Sequence, residues 1–170
     1  MLAFVATLTP LVEQIRLLTS ELRGLLAQHP DGAIFRSLFR DTKRVVTAAE
    51  LLAEIGERRE RYPASSSLEA IAGQAPVAVE SGKKKVATFR WACKKTLRSA
   101  VGVLADSSRK HNPWARKIYE DALARGKDHP HALRILGRAW LRVIWRMWQD
   151  GSPYDPTRHG SLNRLLAAAG

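Results

Sequence analysis

The sequence is poor in cysteine, in acidic residues and in uninterrupted apolar runs. Cys93 is the single cysteine among 170 residues, which excludes a disulfide framework or a site built from several thiolates and fits a reducing cytoplasm. The most apolar late segment carries an arginine at every fourth position, so it cannot span a bilayer. The N-terminus lacks the basic start of a signal peptide. These features predict a cytoplasmic protein with one hydrophobic core.

Clustered metal ligands are also missing from the sequence. Of the five histidines, only His129 and His131 are close together, and the proline between them is unsuited to a zinc site. The acidic residues are scattered, so no pair of carboxylates indicates a two-metal centre. We therefore predict that this chain itself binds no metal and no other cofactor.

Positive charge is what the sequence has in excess. There are 28 lysines and arginines against 16 acidic residues, a formal net charge of +12. The excess is concentrated, because residues 81–117 contain 11 basic residues and only Asp106 as an acid. A basic surface of this kind favours a polyanionic partner, and nucleic acid is the first candidate.

Hydrophobic periodicity predicts a mainly α-helical fold. We expect three parts: a connector helix over residues 1–31, the main domain over 32–155 and a tail helix over 156–170. In the main domain a hairpin-like pair of short helices is followed by one short extended segment, indicated by Val77 and Val79.

The connector helix is predicted to begin at Thr9-Pro10, because proline suits the first turn of a helix. It carries an apolar seam with coiled-coil spacing. The residues of this leucine seam are Leu11, Ile15, Leu18, Leu22 and Leu25. The seam fits either packing within the domain or assembly into a homo-oligomer.

Two later helices are predicted to carry ridges of basic residues. On a helix from Thr88 to Ala105, Arg90, Lys94 and Arg98 recur without an intervening acid, so their repulsion favours phosphate contact. A second helix, from His131 to Gln149, carries Arg134, Arg138, Arg142 and Arg146 opposite a core face of Leu136, Trp140, Ile144 and Met147. This second ridge fits nucleic acid or ion pairs with neighbouring helices.

Five tryptophans could stack on bases or pack into the core. For Trp140 and Trp148 we expect core positions.

The stretch "APVAVESGKKK", residues 75–85, sets a serine and a glycine before three lysines. A serine before glycine is ordinarily a turn residue. A serine that attacks a phosphodiester needs cations against the charge on the phosphoryl oxygens, and Lys83, Lys84 and Lys85 are of the right type. The residues leave open a turn, a phosphate-binding loop and a nucleophile at Ser81.

The order of several motifs resembles one family of bacterial proteins. The motifs are "HPDGAIF", "VTAAELLAEIG", "APVAVESGKKK", "FRWACKKTLRSAV" and the long run from "HNPWARKIYED" to "RMWQDG". In this order they resemble the C-terminal half of insertion-sequence transposases of family 110, also called bridge recombinases, over nearly the whole chain.

The resemblance implies DNA recombination guided by an RNA, with Ser81 as the catalytic nucleophile that forms a 5′-phosphoserine link. It implies binding of DNA and guide (bridge) RNA by the residues that follow the serine and by the two ridges. These are Gly82, Lys83, Lys84, Lys85, Arg90, Lys94, Lys95, Arg98, Arg134 and Arg138. A location in the bacterial cytoplasm, associated with the nucleoid, is also implied.

In this family the metal, expected to be Mg²⁺, is held by a RuvC-like domain that precedes the connector helix. Met1 stands only a few residues ahead of that helix, so we expect the chain alone to be inactive. The alternative is a non-catalytic nucleic-acid-binding remnant, or a regulator that pairs with a full-length transposase through the leucine seam.

Overall fold

The computed structural model describes residues 2–40, 44–81 and 84–168, and for residues 2, 3, 78–81 and 84–89 it describes the backbone alone. The described helices are α1 (Leu2–Gln28), α2 (Gly32–Arg36), α3 (Val45–Ile55), α4 (Ser65–Ile71), α5 (Lys95–Ser108), α6 (Pro113–Ala124), α7 (His129–Gln149) and α8 (Gly160–Ala167). Strands β1 (Pro76–Ser81) and β2 (Lys84–Phe89) form an antiparallel pair between α4 and α5. The mainly helical fold is confirmed, and the domain boundaries after residues 31 and 155 stay predictions.

Helix α1 begins before the predicted start at Thr9-Pro10, so that prediction is wrong. Pro10 lies inside the helix. The Thr9 hydroxyl donates a hydrogen bond back to the Val5 carbonyl at 2.8 Å, instead of capping the residues that follow it. The helix packs on α2 and α3 through its last turns, where Leu26 is buried.

Helix α7 lies at the centre of the hydrophobic core and contacts α4, α5 and α6. It begins after Asp128, whose side chain accepts a hydrogen bond from the His131 backbone N–H at 2.9 Å, the usual arrangement of an N-cap. All four predicted core residues of this helix are buried, as are Trp140 and Trp148. The 3.6-residue periodicity therefore predicted the inward face correctly.

The segment after the extended stretch differs from the prediction. Instead of a helix from Thr88, residues 84–89 form β2, and α5 begins at Lys95. Thr88 pairs with Val77, and Phe89 pairs with Pro76. Valine, threonine and phenylalanine favour strands once a partner strand is present, so pairing with β1 outweighs the helical spacing in this segment.

Both ends of the β-hairpin are attached to helices at one junction. The Lys94 backbone N–H donates to the Ile71 carbonyl at 2.9 Å, which joins the start of α5 to the end of α4. Gly73 has φ +67°, and a Cβ added there would lie 2.7 Å from the Cys93 sulfur. Glycine is therefore required at Gly73 both by the left-handed backbone and by the close approach.

Candidate nucleic-acid interface

The β-hairpin places Ser81 at the end of β1. In the register of the pair, Ser81 stands directly across from Lys84, and Glu80 stands across from Lys85. Residues opposite each other in antiparallel strands have Cα atoms about 4.5–5.5 Å apart. The chain links β1 to β2 through Gly82 and Lys83, and the predictions made for these two fall outside the described residues.

Basic residues continue directly after β2. Arg90, Lys94 and Lys95 follow the hairpin in the chain, and Lys95 is exposed. Trp91 stands among them with 83% of its surface exposed, unlike the buried Trp140 and Trp148. A large aromatic ring in water beside cations is the arrangement that single-stranded nucleic-acid binders use to stack bases.

The predicted ridge of Arg90, Lys94 and Arg98 on one helix face is wrong. Arg90 and Lys94 precede α5, and only Arg98 lies within it. Lys94 is also paired with an acid: its Nζ lies 3.2 Å from the Glu54 carboxylate and donates to the Glu54 carbonyl at 3.0 Å. Glu54 comes from α3, so inspection of the segment around Lys94 could not identify it.

The ridge on α7 is held by a buried acid. Glu69 of α4 has only 2% of its side chain exposed, and its two carboxylate oxygens accept hydrogen bonds from Arg138 Nε at 2.6 Å and Arg142 Nε at 2.9 Å. Arg146 pairs with Asp150 at 2.7 Å. Ion pairing with a neighbouring helix, one of the two predicted roles of this ridge, is observed for Arg138 and Arg142, whereas Arg146 pairs with the acid at the end of its own helix. Glu69 was missed as a site residue because no local pattern marks it.

The last turn of α4 brings several predicted residues into one region. Ile71 binds the backbone of Lys94, whereas Glu69, two residues earlier, binds Arg138. The Gln74 side chain lies against Gly137 of α7, and β1 begins two residues after Gln74. Three segments therefore meet around residues 69–74: the hairpin base, the segment around Lys94 and the N-terminal half of the α7 ridge. This half of the ridge includes the half-buried Arg134.

Asp106, the single acid of the basic segment, is committed elsewhere. Its carboxylate lies 2.7 Å from Arg109 and 3.1 Å from Lys110. Burial alone would raise the pKa of Asp106, but the hydrogen bonds from Arg109 and Lys110 outweigh it and lower the pKa. Asp106 thus stays ionised, and its one negative charge is shared by Arg109 and Lys110 rather than by the cations next to the hairpin.

The described residues do not provide a metal site. No group of three or more histidine, cysteine, aspartate or glutamate side chains among them could hold an ion. These described residues therefore do not fit Mg²⁺. In the same described part of the chain, no helix is both long and apolar enough to cross a membrane.

Comparison with known proteins finds similarity to proteins of insertion elements. Residues 44–120, which include the β-hairpin and Ser81, match the model of the Transposase IS116/IS110/IS902 family. Curated relatives agree with this match, because they are also proteins of insertion elements.

Three of these relatives are proteins of insertion elements. The chain is 30% identical over 151 residues to the 43.6 kDa protein of insertion element IS110 from Streptomyces coelicolor, covering 88% of this chain and 36% of that protein. It is 31% identical over 114 residues to the 42 kDa protein of IS900 from Mycobacterium paratuberculosis, covering 66% and 28%. It is 30% identical over 121 residues to the transposase candidate of the IS117 mini-circle of Streptomyces coelicolor, covering 71% and 29%. The chain spans about a third of the length of these relatives.

Proposed function

We propose that this chain is the C-terminal, serine-bearing part of a DNA transposase and that Ser81 is its nucleophile. The observation that carries the proposal is the position of Ser81 at the end of β1, across from Lys84, within the residues that match the transposase family. A serine next to lysines in the sequence and in the strand register suits attack on a phosphodiester, because the cations offset charge on the phosphoryl oxygens.

The proposed step is a direct displacement at phosphorus. The Ser81 oxygen bonds to the phosphorus while the bond from phosphorus to the 3′ oxygen breaks, so the bond energy is kept in a 5′-phosphoserine link. The proton lost by the serine hydroxyl balances the proton gained by the departing 3′ oxygen. A free 3′ hydroxyl attacking the same link reverses the step and rejoins the strands.

The basic residues around the hairpin bind the backbones of DNA and guide RNA in this proposal. Lys84, Lys85, Arg90 and Lys95 supply charge next to Ser81, and Trp91 stacks on an unpaired base. Lys94 and Arg138 are partly neutralised by Glu54 and Glu69, so they contribute oriented hydrogen-bond donors more than net charge.

Cleavage is proposed to need metal ligands supplied by a RuvC-like domain, in the bacterial cytoplasm close to the nucleoid. The resemblance assigns Mg²⁺ to that domain. We therefore expect this chain alone to bind DNA without cleaving it.

Binding is tested by titrating the purified chain with a fluorescein-labelled DNA duplex at several salt concentrations. Each phosphate neutralised adds about 0.9 to the slope of log K against log salt on duplex DNA. We expect a steep slope for the wild type and a smaller one for Lys84→Gln/Lys85→Gln. Arg16→Gln/Arg23→Gln on α1 removes the same charge elsewhere and serves as the control. Salt-independent binding, or none, would overturn the nucleic-acid assignment.

DNA cleavage by Ser81 is tested by co-expressing this chain with part of the 43.6 kDa protein of IS110 from Streptomyces coelicolor. The part used is the one that this chain does not cover. A covalent adduct between this chain and labelled DNA, resistant to denaturing electrophoresis, is expected for the wild type and for the exposed-serine control Ser99→Ala. No adduct is expected for Ser81→Ala. An adduct that survives in Ser81→Ala would show that another residue is the nucleophile.

A second function is favoured by the leucine seam of α1. Leu11, Ile15, Leu18 and Leu25 are 54–63% exposed, so the seam is not consumed by packing within the described domain. A partner helix would cover it. In this alternative the chain binds nucleic acid without catalysis and regulates a full-length transposase, or assembles with its own copies, through the seam.

A further inference from the structure

A groove with a volume of about 480 Å³ lies between the C-terminal half of α7 and the segment that leads into α8. Four arginines line it, two from each side: Arg142 and Arg146 on α7, and Arg158 and Arg164 in the C-terminal segment. Arg142 and Arg146 belong to the second ridge predicted from the sequence, whereas Arg158 and Arg164 were assigned no nucleic-acid contact there. The groove thus brings together cations from two separate segments of the chain.

The acids in the groove do not neutralise all of its cations. Asp150 is bound to Arg146 at 2.7 Å. Asp155 accepts hydrogen bonds from the Thr157 backbone N–H at 2.8 Å and hydroxyl at 2.7 Å. Within the described part of the chain, no carboxylate lies within salt-bridge distance of Arg158 or Arg164, although Asp155 attracts Arg158 at longer range. Even with Glu69 counted as the partner of Arg142, four cations face three carboxylates.

The groove is built on fixed elements. Tyr154 and His159 share a hydrogen bond of 2.9 Å between the phenol oxygen and Nδ1. The His159 ring lies 4.4 Å from the Trp114 ring, and Tyr154 lies 5.5 Å from the buried Trp140. Arg158 and Arg164 are therefore attached to backbone that is fastened to the core, and little ordering is needed before they bind.

The groove continues the ridge on α7. Arg134, Arg138, Arg142 and Arg146 follow each other at four-residue steps of about 6 Å, roughly 18 Å in all. The ridge begins near the hairpin base, where Gln74 lies against Gly137, and its last two arginines belong to the groove. Arg142 and Arg146 keep 57% and 72% of their side chains exposed despite their ion pairs.

We propose that this groove is a second binding site for backbone phosphates of the nucleic acid that reaches Ser81 along the α7 ridge. The inference rests on the proposed function, because it assumes that nucleic acid lies at the hairpin. Arginine suits this role, since its planar guanidinium can donate two parallel hydrogen bonds to one phosphate. The groove extends the contact beyond the hairpin and holds the strand in register with the serine.

The test compares Arg158→Gln/Arg164→Gln with the control Arg16→Gln/Arg23→Gln in binding to the labelled duplex. We expect the groove variant to lose about tenfold in affinity at roughly 0.1 M salt and its salt slope to fall by about 1–2, with less than a twofold change for the control. Equal behaviour of the two variants would overturn the groove assignment. The proposed function would then still stand if Lys84→Gln/Lys85→Gln lowers the slope. Absence of wild-type binding overturns both.

A second measurement identifies the source of the phosphate and needs no variant that must fold. Side-chain NMR signals of the arginines in the wild-type protein are followed during titration with the duplex and, separately, with inorganic phosphate. The proposal is supported if the NMR signals of Arg158 and Arg164 shift when the duplex is added and if the duplex displaces bound inorganic phosphate. Phosphate binding that the duplex does not displace identifies a free-phosphate site and overturns it, as does the absence of shifts with the duplex.

Discussion

At the scale of single residues, Glu69 determines the geometry of the α7 arginines. A carboxylate with 2% exposure is costly to bury unless it is paired, and here both oxygens accept from guanidinium groups. The buried carboxylate fixes the orientation of the Arg138 and Arg142 guanidinium groups. Because both arginine side chains are partly exposed, the rest of each guanidinium group stays in water. The pair therefore serves stability and positions donors on the ridge at the same time.

We expect Glu69→Gln to lower the free energy of unfolding by about 1–3 kcal/mol, the typical worth of hydrogen bonds to a charged group. Urea denaturation measures the change. Glu60→Gln, at an exposed position, is the control and should change stability by less than about 0.5 kcal/mol. Equal effects of both substitutions would contradict the role given to Glu69.

A second residue-scale feature is His159, whose pKa is lowered by burial. In the unfolded chain an imidazole gains its proton near about pH 6.5, and in the folded protein it does so at lower pH. Between these values the unfolded state binds more protons, so the free energy of unfolding falls as the pH decreases. Its neighbours Tyr154, Trp114 and Trp140 are uncharged in this window. Asp155 stays ionised, because its hydrogen bonds from the Thr157 side chain and backbone lower its pKa.

We expect the wild type to lose stability between about pH 7 and pH 5 more steeply than His159→Gln. The variant has no imidazole at position 159 that could gain a proton. Urea denaturation at a series of pH values measures the difference. Parallel pH profiles of the two proteins would show that burial of His159 does not contribute.

At the scale of elements, the contact between α5 and α7 depends on one small residue. A Cβ added at Gly137 would lie 2.9 Å from Val101 Cγ1 and 3.3 Å from Gln74 Oε1. The glycine lets α7 approach α5 closely at the point where Gln74 leads into the hairpin. Position 137 therefore links helix packing to the placement of β1.

We expect Gly137→Ala to destabilise the protein by about 1–3 kcal/mol through overpacking, less the gain in helix propensity. Gly102→Ala on α5 is the matched control, because a Cβ there meets no atom within 4 Å. It should stabilise by up to about 1 kcal/mol. Thermal unfolding gives both values, and the same sign for the two substitutions would contradict the packing argument.

At the scale of the whole molecule, α1 is set apart from the rest of the structure. It has 27 residues, a length of about 40 Å, and its exposed apolar residues begin at Phe4 and continue to Leu25. A long, solvent-exposed apolar surface of this kind is typical of a protein–protein contact. It fits the homo-oligomer predicted from the leucine seam.

We expect Ile15→Lys/Leu18→Lys to convert a dimer into a monomer without unfolding the domain, because lysines in the seam repel across the interface. Arg16→Gln/Arg23→Gln lies outside the seam and should keep the wild-type state. Analytical ultracentrifugation over a range of protein concentrations measures this. A wild type that is monomeric at every concentration would exclude self-association through α1.

Local signals in the sequence were enough for much of the fold. Asn112-Pro113 starts α6, and Gly56 ends α3 with φ +80°. The core face of α7 follows directly from its spacing. Ser81 and the lysines after it stand out in the sequence, and their roles stay predictions, whereas the exposure of Trp91 was found only in the structure. These caps, turns and amphipathic faces involve residues a few positions apart, so the sequence alone determined them, although the similar signal at Thr9-Pro10 lies inside α1.

The remaining features were decided by tertiary structure. Residues 84–89 form a strand because they pair with β1. Lys94 and Arg138 form ion pairs with Glu54 and Glu69, which lie 40 and 69 residues away in the chain. The arginine groove likewise exists only because the segment before α8 folds back onto α7. Such contacts have no local sequence pattern, because the charge or strand that completes each one is brought close only by packing of the hydrophobic core.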